Sequence, residues 1–233
     1  AIERVLAGDD GRETRQLGVV AADGASAAHT GSACLAWAGQ LTGPGYAAQG
    51  NILAGEDVVR ELVRAFQETG GTLAERLVAA LEAAQAAGGD ARGQQSAAVV
   101  VERVGAASES REGVDRVCDL RVDDHPEPIA ELGRLLGIHL VWDALRRATA
   151  FYVPGRYPEG AALLQGALDE HGESAALLYD LACFESLAGQ TQDALAHLRR
   201  AIELDPGLRD SARADADFAA LSGEDGFAAL VRH

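Results

Sequence analysis

Two short segments carry the side chains best suited to chemistry. In "YAAQGNILAG" the amides Gln49 and Asn51 flank Gly50, inside a stretch that also holds Gly39, Gly43, Gly45 and Gly55. Amide and backbone N–H groups are the donors that stabilise a developing oxyanion, and glycine lets backbone approach a ligand closely. Asn51 is also placed to cap a helix beginning near Gly55. In "GGDARGQQS" Asp90 and Arg92 either pair with each other across a turn or hold a substrate carboxylate and a neighbouring ammonium. Gln95 and Ser96 follow them into a strand, as substrate contacts or as partners for the backbone at its start. His29, beside Thr30 in "AAHTG", is a third pocket candidate, although a lone histidine is more often a hydrogen-bonded structural residue.

Other chemistries fit less well. Ser96 has no sequence-adjacent His or acid to activate it, which speaks against a Ser-His-Asp mechanism. Asp123, Asp124 and His125 are adjacent on a strand and so alternate between its faces. "HPEP" reads better as a strand stop leading into a helix, so neither a metal site nor a cofactor is expected. Cys34, Cys118 and Cys183 are odd in number and widely spaced without a CxxC, which leaves them as buried thiols.

The elements that must position these residues follow from periodicity. Residues 1–7 read as a helix with no capping residue before it, which fits a chain that begins inside a domain. Leu17, Val19 and Val20 start a strand, and an Asp-Gly turn leads to a second one ending near His29. The glycine-studded stretch from Gly31 to Gly55 reads as a loop. Val58, Val59, Leu62, Val63 and Phe66 mark one amphipathic helix and Leu73, Leu77, Val78 and Leu81 another, each with one face for a sheet. "QQSAAVVVERV" and "VDRVCDLRVDD" are strands joined by the polar connector "GAASESREG". Strands, two helices, then strands give an α+β layer structure.

From Ile129 onward the pattern is helical and repeats. Gly155, Gly160, Leu164 and Ala167 stand 34 residues before Gly189, Ala194, Leu198 and Ala201. Small residues where helices cross, with that period, mark a tetratricopeptide-like array. Its copies run near 141–174 and 175–208. Phe218, Leu221, Phe227 and Leu230 in 209–233 cap the stack. Arg146, Tyr179 and Glu185 are the side chains such a groove presents to a protein partner, whereas Asp143, Asp180, Asp193 and Glu203 read as solvated faces.

Bulk composition limits the partners. The chain has 233 residues, 48% of them hydrophobic, enough for one large core or two small ones. Against 36 acidic residues it has 20 basic ones, all arginine, for a net charge of −16 that repels a phosphate backbone. Apolar runs stop well short of the roughly 20 residues a membrane helix needs. A cytoplasmic protein with neither nucleic-acid nor membrane partners is expected.

The motifs "RQLGVV", "AAHTGSACLAWAG", "YAAQGNILAG", "LAERLVAALEAAQAAGGDARGQQSAAVVV" and "DLRVDDHPEPIAEL", in that order, resemble the bacterial family called domain of unknown function 1028, over about residues 1–140. The resemblance implies a fold like that of the N-terminal nucleophile (Ntn) hydrolases, αββα layers. It therefore implies an α+β domain at 1–128 lacking its first strands, while the 34-residue period marks 129–233 as the tetratricopeptide-like domain. It also implies a leading segment with a Thr nucleophile, to which nothing here corresponds. Such enzymes attack an amide with the side chain of their first residue, a role Ala1 cannot fill. The expected function is an Ntn-type amide hydrolase acting on a small amide or peptide, with its nucleophile supplied outside this sequence. The alternative is a non-catalytic scaffold whose helical repeats bind a protein or assemble an oligomer.

Overall fold

The computed structural model describes residues 1–105 and 115–232. It divides into two compact units, Ala1–Leu136 and Gly137–His233. Beyond Gly105 the polar connector lies outside the described residues.

In the first unit, α1 (Ile2–Leu6) precedes a hairpin of β1 (Gln16–Val20) and β2 (Ser26–Thr30), paired from Gln16↔Thr30 to Val20↔Ser26. The Asp-Gly turn closes it: Ala25 N donates to Asp23 Oδ1 at 3.0 Å, and Gly24 sits at φ +85°, a conformation that costs glycine little. The stretch expected to be a loop instead forms a second hairpin, β3 (Gly39–Gly43) and β4 (Tyr46–Gly50). Pro44 and Gly45 make its turn, with Gly45 at φ +80°, the pattern of a type II turn. Two other glycines of this hairpin serve aromatic packing. A Cβ at Gly39 would run into the Trp37 ring, and one at Gly43 into the Tyr46 ring.

Two helices cover the sheets. α2 (Glu56–Glu68) buries Val59 and Val63 against Ala48, beside Trp37, Tyr46, Leu53 and Leu62. α3 (Leu73–Ala86) starts at a capping box in which Thr72 Oγ1 accepts from Glu75 N, and Glu75 Oε2 accepts from Thr72 N at 2.7 Å. The third hairpin, β5 (Ala97–Glu102) with β6 (Arg116–Val122), alternates as its sequence requires. Val99 and Cys118 are buried, Asp119 and Arg121 pair on the open face, and a register shift at Val101/Glu102 sets Arg116 opposite Glu102 to join them. Among the described residues the strands make three separate two-stranded sheets.

α4 (Pro128–Tyr152) spans the division between the units. In the second unit it is followed by α5 (Tyr157–His171), α6 (Ala175–Leu187) and α7 (Thr191–Leu204). A short α8 (Leu208–Ala214), a 3-10 turn (Ala216–Leu221) and α9 (Asp225–Leu230) complete it. The 34-residue period is visible in the backbone. Gly155 and Gly189 sit at φ +71° and +78°. Arg156 N donates to Phe151 O, just as Gln190 N donates to Glu185 O. Gly160 and Leu164 are buried in one copy, Ala194 and Leu198 in the next. Phe218, Leu221 and Phe227 share one core cluster with Leu195, Leu198 and Ile202 of α7. Burying each such side chain stabilises the unit by roughly 1.5–3 kcal/mol.

Candidate functional site

Five pieces of the first unit surround an open cleft of about 490 Å³: β4, α2, α3, the turn at 89–96 and the start of α4. Its floor is apolar, with Leu53, Val59, Leu62 and Leu81, and its rim is polar, with Gln49, Gln85, Asp90, Arg92, Gln95 and Ser96. Apolar walls with a few convergent polar groups are the usual make-up of a small-molecule site. Five of the seven first-unit candidates thus meet here although they come from segments some forty residues apart.

The turn owes its place to backbone pairing. Gly88 and Gly89, at φ +118° and +58°, end α3 and reverse the chain. Ala54 N then donates to Gly89 O at 2.9 Å and Ala91 N to Ile52 O at 2.8 Å, which ties the turn to the end of β4. Between them Ile52 is held at φ +56°, a strained conformation for a β-branched residue. Asp90 and Arg92 pair with each other: Arg92 Nε donates to Asp90 Oδ1 at 2.9 Å and Nη2 to Oδ2 at 2.6 Å. Those bonds and Arg92 N hold the Asp90 carboxyl down at about 2. The pair is therefore fixed and charged at neutral pH, with Arg92 Nη1 left to meet a further acceptor among the described residues. Gln95 serves the backbone as well, its carbonyl accepting from His125 N at 3.0 Å. The N–H groups of Gln94, Gln95 and Ser96 find no acceptor among the described residues.

Asn51 and His29 do not line this cleft. Asn51 does not cap α2 either, because Gly55 is the N-cap and no side chain bonds there. Asn51 Nδ2 donates to Gln16 Oε1 at 2.9 Å. Gln16 Nε2 in turn donates to Gly50 O at 2.8 Å and Thr30 Oγ1 at 3.0 Å, and the Thr30 hydroxyl donates to Gln40 Oε1 at 2.8 Å. This network fastens the first hairpin to the second. Gln16 and Gln40 carry no local sequence signal, since their partners lie far along the chain. The His29 ring meets Arg12 O through Nε2 at 3.0 Å, a structural contact. His125 Nδ1 accepts from Glu127 N at 3.0 Å at the start of α4, as "HPEP" suggested. Cys34 corrects an expectation: it is only half-buried, its thiol turned to Arg15 O at 3.4 Å.

In the second unit the three partner-binding candidates do not share a surface. Arg146 is exposed and paired with Asp143. Tyr179 points at the cap, where its hydroxyl donates to Asp215 Oδ2 at 2.9 Å and its ring meets Phe218 edge-on, and burial raises its phenol. Glu185 is 5% exposed and pairs with His197 Nδ1 at 2.8 Å. Asp180 is no solvated residue. Burial, then Asp215 and Asp217, push its carboxyl up to about 6. Its position inside "LLYDLACF", with apolar residues on both sides, is the signal for that. Cys183, Asp215 and Asp217 bring three potential metal ligands within 4.8 Å of one another. Tyr152 and Tyr179 donate to those two carboxylates and tie them into the structure.

Residues 1–132 match the profile of a family described as "Family of unknown function (DUF1028)". A crystal structure of a DUF1028 protein from Silicibacter pomeroyi is 33% identical, with a TM-score of 0.49. The match covers 58% of this chain and 54% of that one, so this chain spans about half the length of that protein. No curated protein matches the chain.

Proposed function

The chain belongs to the DUF1028 family, and on that premise we propose that its first unit forms the substrate pocket of an Ntn-type amide hydrolase. The observation that carries this reading is the convergence of Gln49, Asp90, Arg92, Gln95 and Ser96 on one apolar-floored cleft. Arg92, braced by Asp90, takes a substrate carboxylate through Nη1. The Gln49 and Gln95 amides and the N–H groups of 94–96 are the donors available to a developing oxyanion, in place of Asn51. The apolar floor receives the side chain next to the scissile amide. A Thr-led segment ahead of Ala1 brings the nucleophile and its α-amino base. The three hairpins with α2 and α3 are then parts of an αββα sandwich that this segment completes.

N-terminal sequencing and intact mass of the natural protein, followed by an amidase assay on small acylated amino-acid amides and dipeptides, test the reading. A Thr-led chain with turnover, and an Arg92→Ala variant whose KM for carboxylate-bearing substrates rises at least tenfold, are the expected results. A natural chain that begins at Ala1, or turnover indifferent to both Arg92→Ala and Gln49→Ala, overturns it.

The second unit is assigned by the same standard as a tetratricopeptide-like pair. Matched burial and matched turn hydrogen bonds 34 residues apart support that assignment.

A further inference from the structure

The second unit has its own cleft, of about 380 Å³, between α5, α6 and α7. Glu185 lies in it with a side chain only 7% exposed, holding His197 through one oxygen. The Nδ1–H of His197 is committed to that carboxylate, so in the neutral ring Nε2 is left as an acceptor. Asp193, one turn before His197 on the same helix, adds a second carboxylate, whose field raises that of Glu185 further. Among the described residues no arginine lines the cleft. Elsewhere in this unit acidic side chains commonly have one: Glu173 and Glu203 share Arg200, and Asp143 holds Arg146. Here two carboxylates and an oriented imidazole face an open space, beside the amides of Gln190 and of Gln165, the latter already donating to Asp169 at 2.8 Å. Pro158, Ala161 and Ala162 form an apolar wall beside them.

We infer that this cleft receives the guanidinium group of an arginine residue in a polypeptide ligand. The planar fork offers five donors and is weakly hydrated, which suits acceptors that are half out of water. An ammonium offers three donors and keeps its water more firmly. The methylene stem lies along the Pro158 and alanine wall, as long cationic side chains do on apolar surface. A polypeptide is favoured over free arginine because an amide-linked arginine brings no α-carboxylate to a chain of net charge −16. The inference stands on this cleft alone and needs neither the hydrolase reading nor the repeat assignment.

The test is an NMR titration of the isotope-labelled full chain with N-acetyl-arginine amide. Its companions are the matching citrulline and lysine compounds and free arginine. Saturable shifts confined to the amides around Glu185, Asp193 and His197 are expected. The citrulline compound, which keeps the shape and loses the charge, binds at least tenfold more weakly, about 1.4 kcal/mol. Asp193→Asn, at an exposed position, weakens binding several-fold. Glu185→Gln abolishes it while the helical circular dichroism persists, and should that variant unfold, Asp193→Asn decides. Absence of saturable shifts, or equal binding of the citrulline compound, overturns the cation site. Equal binding of the lysine compound overturns the choice of guanidinium, and tighter binding of free arginine overturns the polypeptide source.

Discussion

Replacing Asp180 by Asn should stabilise the helical unit at neutral pH. Asp180 lies on α6 beside Asp215 and Asp217, and its carboxyl is raised from 3.8 to about 6, chiefly by burial. A raised carboxyl contributes stability that is fully present below its unfolded value and is lost as pH rises through the folded one. At pH 7.5 the ionised group therefore opposes folding. A move from 3.8 to about 6 corresponds to roughly 3 kcal/mol. Partial exposure and solvent screening reduce that to about 1–2 kcal/mol. Asn keeps the shape and removes the charge. For a unit of roughly a hundred residues, this raises Tm by about 5–10 °C. Calorimetry of the full chain, resolving the helical transition, should show the gain at pH 7.5 and its decline as pH falls from about 6 toward 4. A variant no more stable than the parent at pH 7.5, or a gain that does not change with pH, would refute the reasoning.

Three further outcomes follow from geometry. Gly160→Ala drives a Cβ into the Phe184 ring and should cost about 1–3 kcal/mol by overpacking, seen as a lower Tm of the helical transition, although its counterpart one repeat on is already Ala194. Gln16→Ala removes the acceptor of the Asn51 amide and the donor to Thr30 Oγ1 and the Gly50 carbonyl, leaving Thr30 only its bond to Gln40. It should destabilise the first unit by about 1–3 kcal/mol, with faster hydrogen exchange in β1 and β4 as the readout. Thr72→Ala removes the capping box of α3 and should cost about 1 kcal/mol in urea unfolding.

The sequence by itself determined most of what is local. Apolar period 3.6 fixed α2 and α3, alternation fixed β5 and β6, and the Asp-Gly turn fixed the first hairpin, because each depends on neighbours within a few residues. The 34-residue spacing determined the paired helices of the second unit down to the turn bonds at Gly155 and Gly189. The second hairpin was hidden because its glycines look like loop composition, yet Gly39 and Gly43 admit the rings of Trp37 and Tyr46 and Gly45 makes the turn. Only the tertiary structure decided which polar side chains share a site. It drew Gln49 into the cleft with Arg92 and turned Asn51 away to Gln16, though the two amides are separated by one glycine. It also buried Glu185 and half-buried Asp180, which a helical sequence leaves free to face water. The physical reason is that a side chain's neighbours come from elements far along the chain, and the end of β4 at Gly50 and the position on α6 choose among them.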